Sequence, residues 1–198
     1  MSSSLDPVIA GFYAALPQQG PGSDTDSGAT LAVILPGLPR APAVADLGCG
    51  TGRSTLFLAE RLRASILAVE LEPLFCERLS AEAAAQNLPV DVRQGDMADP
   101  PLKAARLDLI WSEGAAYVIG FAEALKRWRA LLRPGGYCVV SECTWLKGQR
   151  PSAVAHFFAE GYADMADIAG NLDRAHAAGY EPLATHILSP GGWERYYQ

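Results

Sequence analysis

The chain has 198 residues, enough for one domain with a buried core, and 49% of them are hydrophobic, so a sheet covered on both faces needs neither disulfides nor a structural metal for stability. Lys and Arg number 16 against 22 Asp and Glu, a formal net charge of -6, and the basic residues are scattered rather than gathered into a stripe, which argues against a nucleic-acid partner. Cys49, Cys76, Cys138 and Cys143 form no CxxC pair, no basic-then-apolar leader opens the chain, and no apolar run approaches the roughly 20 residues of a membrane span; the expectation is a reduced, cytoplasmic protein without a transmembrane segment.

In chain order, Asp6-Pro7 supplies a cap and a first-turn proline for an apolar helix through Val8, Ile9, Phe12 and Tyr13 that ends before Pro17. Gln18 to Ser27 (QQGPGSDTDS) is loop chemistry with no apolar periodicity, and Leu31 to Leu35 suits another short helix. Ala43 to Leu47 is a brief apolar run between Pro42 and Gly48, as a buried strand should be. Leu56, Leu58, Ala59 and Leu62 recur at helical spacing between Arg53 and Arg63, and Ser65 to Glu70 returns to a strand. The alternation continues with a helix from Pro73 to Gln86, strands Val90 to Gln94 and Leu107 to Trp111, a helix Phe121 to Leu132 and a strand Tyr137 to Glu142. Helical segments follow around Val154 to Ala163 and Leu172 to Ala178, the latter stopped by Gly179, and then a strand from Glu181 to Leu188. Elements alternating in this way predict the α/β class: a doubly wound, Rossmann-like, mostly parallel sheet with helices on both faces. Residues 1–42 read as N-terminal helices and a loop and residues 43–198 as the core, together one structural domain with no internal repeat.

The strongest functional signal is Asp46-Leu47-Gly48-Cys49-Gly50-Thr51-Gly52, placed after the first strand and before the first long helix. Glycines there let the backbone turn sharply and approach a ligand closely, and the next helix offers unpaired N–H groups to a carboxylate or phosphate. Glu70 closes the following strand, roughly 20 residues on, where a carboxylate can accept both hydroxyl protons of a ribose diol. Glu72 competes for that role but precedes Pro73 and reads better as the cap of the next helix. In Gly95-Asp96-Met97, after the third strand, Asp96 suits either an adenine amino group, with Met97 packed on the ring, or an ordinary turn. A nicotinamide fingerprint runs G-x-G-x-x-G, whereas Gly48, Gly50 and Gly52 run G-x-G-x-G after Asp46.

The segments ADLGCGTGRST, AVELEP, GDM and LLRPGG, spread between Ala43 and Glu142, resemble the class I S-adenosylmethionine-dependent methyltransferases. The resemblance implies S-adenosyl-L-methionine as cofactor, with Asp46, Gly48 and Gly50 at its methionine end, Glu70 at its ribose and Asp96 with Met97 at its adenine. Leu71 then lines the adenosine pocket, and Ser112 is a further cofactor-binding residue. DLIWSEGAAY at Asp108 to Tyr117, followed by Ile119-Gly120-Phe121, and QGPGS at Gln19 to Ser23 resemble a narrower bacterial branch that methylates small molecules. In that branch the early loop is expected to fold over the cofactor, which makes Gln19, Gly22 and Ser23 lid residues; the other reading is a mobile linker. Proteins of this type usually continue past a WERYY-like stretch to a last antiparallel strand, so the sheet is expected to lack it, and a homodimer is one way to cover the open edge.

Methyl transfer is an in-line displacement at an activated carbon, so the protein has chiefly to align a small-molecule acceptor and exclude water. Glu113, just past the fourth strand, is the first candidate for removing an acceptor proton; binding a cationic acceptor or capping a turn are its other readings. Tyr117 is the second candidate, by stacking or hydrogen bonding. His156 reads as a solvated residue, and Trp145, Phe157, Phe158 and Tyr162 as a packed face rather than a pocket lining. Ser112, Ser141 and Glu142 supply no cluster of hard-cation ligands, so no metal is expected. The function expected is S-adenosylmethionine-dependent methylation of a small molecule; the alternative is a non-catalytic S-adenosylmethionine-binding module, or a shortened chain that depends on a partner.

Overall fold

The computed structural model describes residues 5–196. It opens with α1 (Pro7–Ala15), capped by Asp6, whose carboxylate accepts from the Val8 N–H at 2.9 Å. Helix α2 (Asp24–Ile34) starts well before the expected Leu31 and takes in residues that read as loop. The reason is its first turn: Ser23 accepts from the Asp26 N–H at 3.1 Å, and Asp24 and Asp26 place negative charge where the helix dipole favours it.

The alternating core follows: β1 (Val44–Leu47), α3 (Arg53–Leu62), β2 (Ile66–Glu70), α4 (Pro73–Ala85), β3 (Val90–Gln94), β4 (Leu107–Glu113), α5 (Phe121–Arg129) and β5 (Leu132–Ser141). Three further helices complete the described chain: α6 (Ser152–Gly161), α7 (Ile168–Ala177) and α8 (Pro190–Tyr196). Helix α5 ends three residues early because Leu131 and Leu132 are buried and Leu132 already pairs with Leu107. The strand expected over 181–188 is irregular instead. Pro182 lacks the N–H a ladder needs, Leu183 and Ile187 stay exposed, and His186 turns away to α2.

The five strands form one sheet in the order β3-β2-β1-β4-β5, every pair parallel. No antiparallel strand joins it among the described residues, in keeping with the expected loss of the usual last strand; Tyr197, the end of the WERYY stretch, lies outside them. One face packs α2 and α3 through Leu31, Ile34, Phe57 and Leu58 onto Val44, Ile66, Leu109 and Trp111. The other packs Phe121, Leu125 and Trp128 of α5 onto Ala45, Leu47, Val69 and Ile110. Trp111 and Trp128 are at most 1% exposed, each burial contributing about 1.5 to 3 kcal/mol. The chain runs outward from β1 to β3 and then crosses back to β4, so the strand order reverses at β1, and a crevice opens there at the carboxyl ends.

Candidate active site

The crevice holds a cavity of about 430 Å³, within the size range of small-molecule sites. Its floor is the loop after β1, where Gly48 (φ 72°), Gly50 (φ 58°) and Gly52 (φ 93°) are all left-handed. At Gly48 a side chain is excluded twice, by the backbone and because a Cβ would lie 2.5 Å from the Ala115 methyl and 2.9 Å from Met97 Sδ.

Glu70, at the end of β2, is pinned beside this loop. Its Oε2 accepts from the Gly50 N–H at 2.9 Å, and its Oε1 from the Leu71 and Glu72 N–H groups at 2.9 and 3.0 Å. A carboxylate has roughly four lone-pair sites. Three are filled, so Glu70 is oriented in advance and presents one strong acceptor position, where two were expected. Glu72 takes the capping role, accepting from the Leu5 N–H at 3.0 Å and from Leu74 at the start of α4.

Leu71, Asp96 and Met97 line the cavity on the same side. Asp96 also makes its turn, Oδ1 accepting from the Ala98 N–H at 2.8 Å, and the Met97 carbonyl is held by the Trp128 indole at 2.8 Å. The early loop crosses the opening and supplies Gln19 and Gly22 to the wall. Gln19 clips it to the glycine loop: Oε1 accepts from the Thr51 N–H at 3.0 Å and hydroxyl at 2.7 Å, while the amide donates to the Tyr13 carbonyl at 2.9 Å.

Three of the expected residues stand behind the wall rather than on it. Asp46 is fully buried, its Oδ2 accepting from the Ser54 and Thr55 hydroxyls at 2.8 and 2.7 Å and its Oδ1 left without a partner. Burial pushes this carboxyl up to about 7, against the two hydroxyls that favour the charge. Its place is therefore to hold the start of α3 against β1. Ser112 is likewise buried and donates to the Leu47 carbonyl at 2.7 Å, tying β4 to β1. Ser23 is the cap of α2, its hydroxyl donating to Asp26.

Glu113 does reach the cavity, but its carboxylate is engaged. Oε1 accepts from the Ser27 hydroxyl at 2.7 Å and the Trp111 indole at 2.8 Å, and Oε2 pairs with Arg53, which also reaches Asp24 at 2.7 Å. This network joins β4, α2 and α3 under the early loop, fills three of the carboxylate's roughly four lone-pair sites and pairs its charge with Arg53. Tyr117 lies on the short turn Ala116–Ile119, lines the cavity, is 46% exposed, and has its phenol pushed up by burial. His156 sits exposed on α6 beside Glu160 at 3.3 Å, away from the crevice.

Asp26 has no motif of its own, yet it anchors the roof. Only 4% exposed, it accepts from the Ser189 N–H at 3.1 Å and hydroxyl at 2.9 Å, from Ser23, and meets His186 Nε2 at 3.0 Å. Burial by itself raises its pKa, but these hydrogen bonds prevail and hold it well below the usual carboxylate range. The chain after α7 is thus clasped onto α2, and Gly192 of α8 packs so closely on the Pro21 carbonyl that a Cβ there would overlap it. The one sequence signal for this roof is Ser23, a residue type favoured at helix N-caps.

With a parallel sheet of this order, a left-handed glycine loop after β1 and a pinned carboxylate closing β2, the chain has the fold expected from its resemblance to the class I S-adenosylmethionine-dependent methyltransferases. Within it, residues 44–136 match the family model described as a methyltransferase domain. A tocopherol O-methyltransferase of Arabidopsis thaliana is 31% identical over 105 residues, 52% of this chain and 30% of that protein. A trans-aconitate 2-methyltransferase of Deinococcus radiodurans is 34% identical over 113 residues, 56% of this chain and 41% of that one. The chain therefore aligns with well under half of each of these relatives. A methyltransferase of Thiobacillus denitrificans solved with S-adenosyl-L-homocysteine superposes with a TM-score of 0.83 over 98% of this chain and 79% of its own, at 21% identity, which speaks for the fold. Among the described residues no helix is long and apolar enough to cross a membrane.

Proposed function

We propose that the chain binds S-adenosyl-L-methionine in this crevice and transfers its methyl group in line to a small-molecule acceptor. The observation that carries the reading is Glu70, fixed by three backbone N–H groups, one of them from the glycine loop itself, with its remaining acceptor position beside the cavity. In this reading Gly48 and Gly50 receive the methionine end, Glu70 a ribose hydroxyl, and Leu71, Asp96 and Met97 the adenine. Gln19 and Gly22 close the roof, while Asp46, Ser112 and Ser23 keep the walls in register from behind. When bound, the cofactor supplies an activated methyl group, so the residues' work is alignment and exclusion of water. A small acceptor is supported by the net charge of -6, which opposes a polyanionic substrate, and by relatives named for tocopherol and trans-aconitate.

Calorimetric titration with S-adenosylmethionine, S-adenosylhomocysteine and, as control, NADH tests the reading. Binding of the sulfur pair at micromolar concentration without NADH binding is the expected outcome; failure of both sulfur ligands to bind refutes it.

A further inference from the structure

We propose that the acceptor is an uncharged molecule with an extended apolar body, seated against Tyr13, Tyr117 and Val118 on the β4 side of the crevice. The inference rests on the cofactor reading above and names a substrate class for the same site. The cavity wall divides at the glycine loop. Glu70, Leu71 and Asp96 follow β2 and β3, whereas Ala115, Tyr117, Val118 and Ile119 follow β4, which lies on the other side of β1. A cofactor held by its ribose and adenine on the first side leaves the second to the acceptor.

The second wall and the rim above it are apolar and open. Tyr117, Val118 and Leu5 all border the cavity and are 46%, 58% and 43% exposed. Tyr13, delivered by α1, also lines it, and its phenol lies near enough to that of Tyr117 to disfavour charge there. Residues behind the wall brace both rings, Tyr162 packing on Tyr117 with ring centres 5.7 Å apart and Phe12 on Tyr13 at 5.6 Å. Phe12 is itself 64% exposed and carries the apolar surface past the rim. Scattered apolar side chains are ordinary on a protein surface, but several gathered at the mouth of one cavity mark a place where a ligand buries apolar surface. The charges around the cavity decide which ligand. Among the described residues lining it, Glu70, Glu72, Asp96 and Glu113 are acidic and Arg53 is the one cation. Arg53 is spent on Asp24 at 2.7 Å, on Ser27 at 3.1 Å and on Glu113. An anionic acceptor therefore meets carboxylates with no cation left to pair it, and an unpaired charge taken out of water is costly. A cationic acceptor meets the sulfonium charge of the cofactor, and like charges in a partly enclosed site repel strongly. A neutral acceptor avoids both penalties and gains from the apolar wall.

Octanol, octanoate and octylamine share one apolar body and are neutral, anionic and cationic at neutral pH, so they separate the effect of charge from that of apolar surface. Each is titrated calorimetrically into protein saturated with sinefungin, which carries a cationic amine where the cofactor has its sulfonium methyl and transfers nothing. The expected result is octanol binding at least about tenfold more tightly than either charged analogue. Val118→Asp, a change at an exposed turn position, should weaken octanol binding by about tenfold or more while sinefungin affinity stays within about threefold of wild type. Octanoate or octylamine binding within about threefold of octanol overturns the uncharged class. Octanol that fails to bind, or that binds Val118→Asp as well as wild type, overturns the proposed seat, and so does an equal loss of sinefungin in that variant. In each of these cases sinefungin binding to the wild type leaves the cofactor reading standing. Failure of sinefungin to bind the wild type overturns the cofactor reading, and this inference with it.

Discussion

Replacing Glu70 by Gln keeps the volume of the side chain, removes its charge and turns one acceptor oxygen into an NH2 donor, which tests the ribose contact assigned to it. With three lone-pair sites spent on the Gly50, Leu71 and Glu72 N–H groups, the carboxylate has one acceptor position left for a ligand. The variant therefore loses one charge-assisted hydrogen bond, about 1.5 to 3 kcal/mol, or about 10- to 100-fold in the Kd for S-adenosylhomocysteine. The fold should survive, because Glu70 is only half-buried and water can reach the N–H groups it releases. Calorimetric titration of the wild type and Glu70→Gln, with Tm measured alongside, reads both quantities. An affinity unchanged within about threefold at equal Tm refutes the ribose assignment. A loss beyond about a thousandfold refutes the count of one open position, since two lost bonds are then required.

Gly48→Ala forces a left-handed alanine whose methyl lies 2.5 Å from that of Ala115, so ligand binding should be lost in calorimetry while far-UV circular dichroism stays near wild type. Asp26→Ala strips the acceptor from Ser23, Ser189 and His186 and should lower unfolding stability by about 1.5 to 3 kcal/mol in urea titration. Because the folded pKa of Asp26 is depressed, its contribution is present above about pH 4 and lost as pH falls through the folded value; equal acid sensitivity of wild type and variant contradicts this. Asp46 has the opposite sign: raised to about 7, it makes stability fall as pH climbs from about 4 through 7, and Asp46→Asn should flatten that slope in urea midpoints measured across the range.

The alternation of strands and helices from Val44 to Ser141 is legible in the sequence because each element carries its own period and its own stop signal. The start of α2 is not, since its first turn is polar and gains its place through Asp26, whose partners lie some 160 residues away. The strand expected over 181–188 fails for a related reason: an apolar run decides nothing when its ends are drawn to α2 instead of a sheet edge.

The sequence by itself determined the glycine loop, the acidic residue at the end of the next strand and the α/β class, because these depend on neighbours within one β-α-β unit. Only the tertiary structure decided which carboxylate does what. Asp46, Glu70, Glu113 and Glu142 are alike as residue types. One is buried behind the floor, one is pinned beside the cavity, one is spent on Arg53 and one meets the Tyr162 phenol. A carboxyl group's proton affinity and its remaining hydrogen-bond capacity are set by burial and by the donors that reach it, and those donors come from elements distant in the chain.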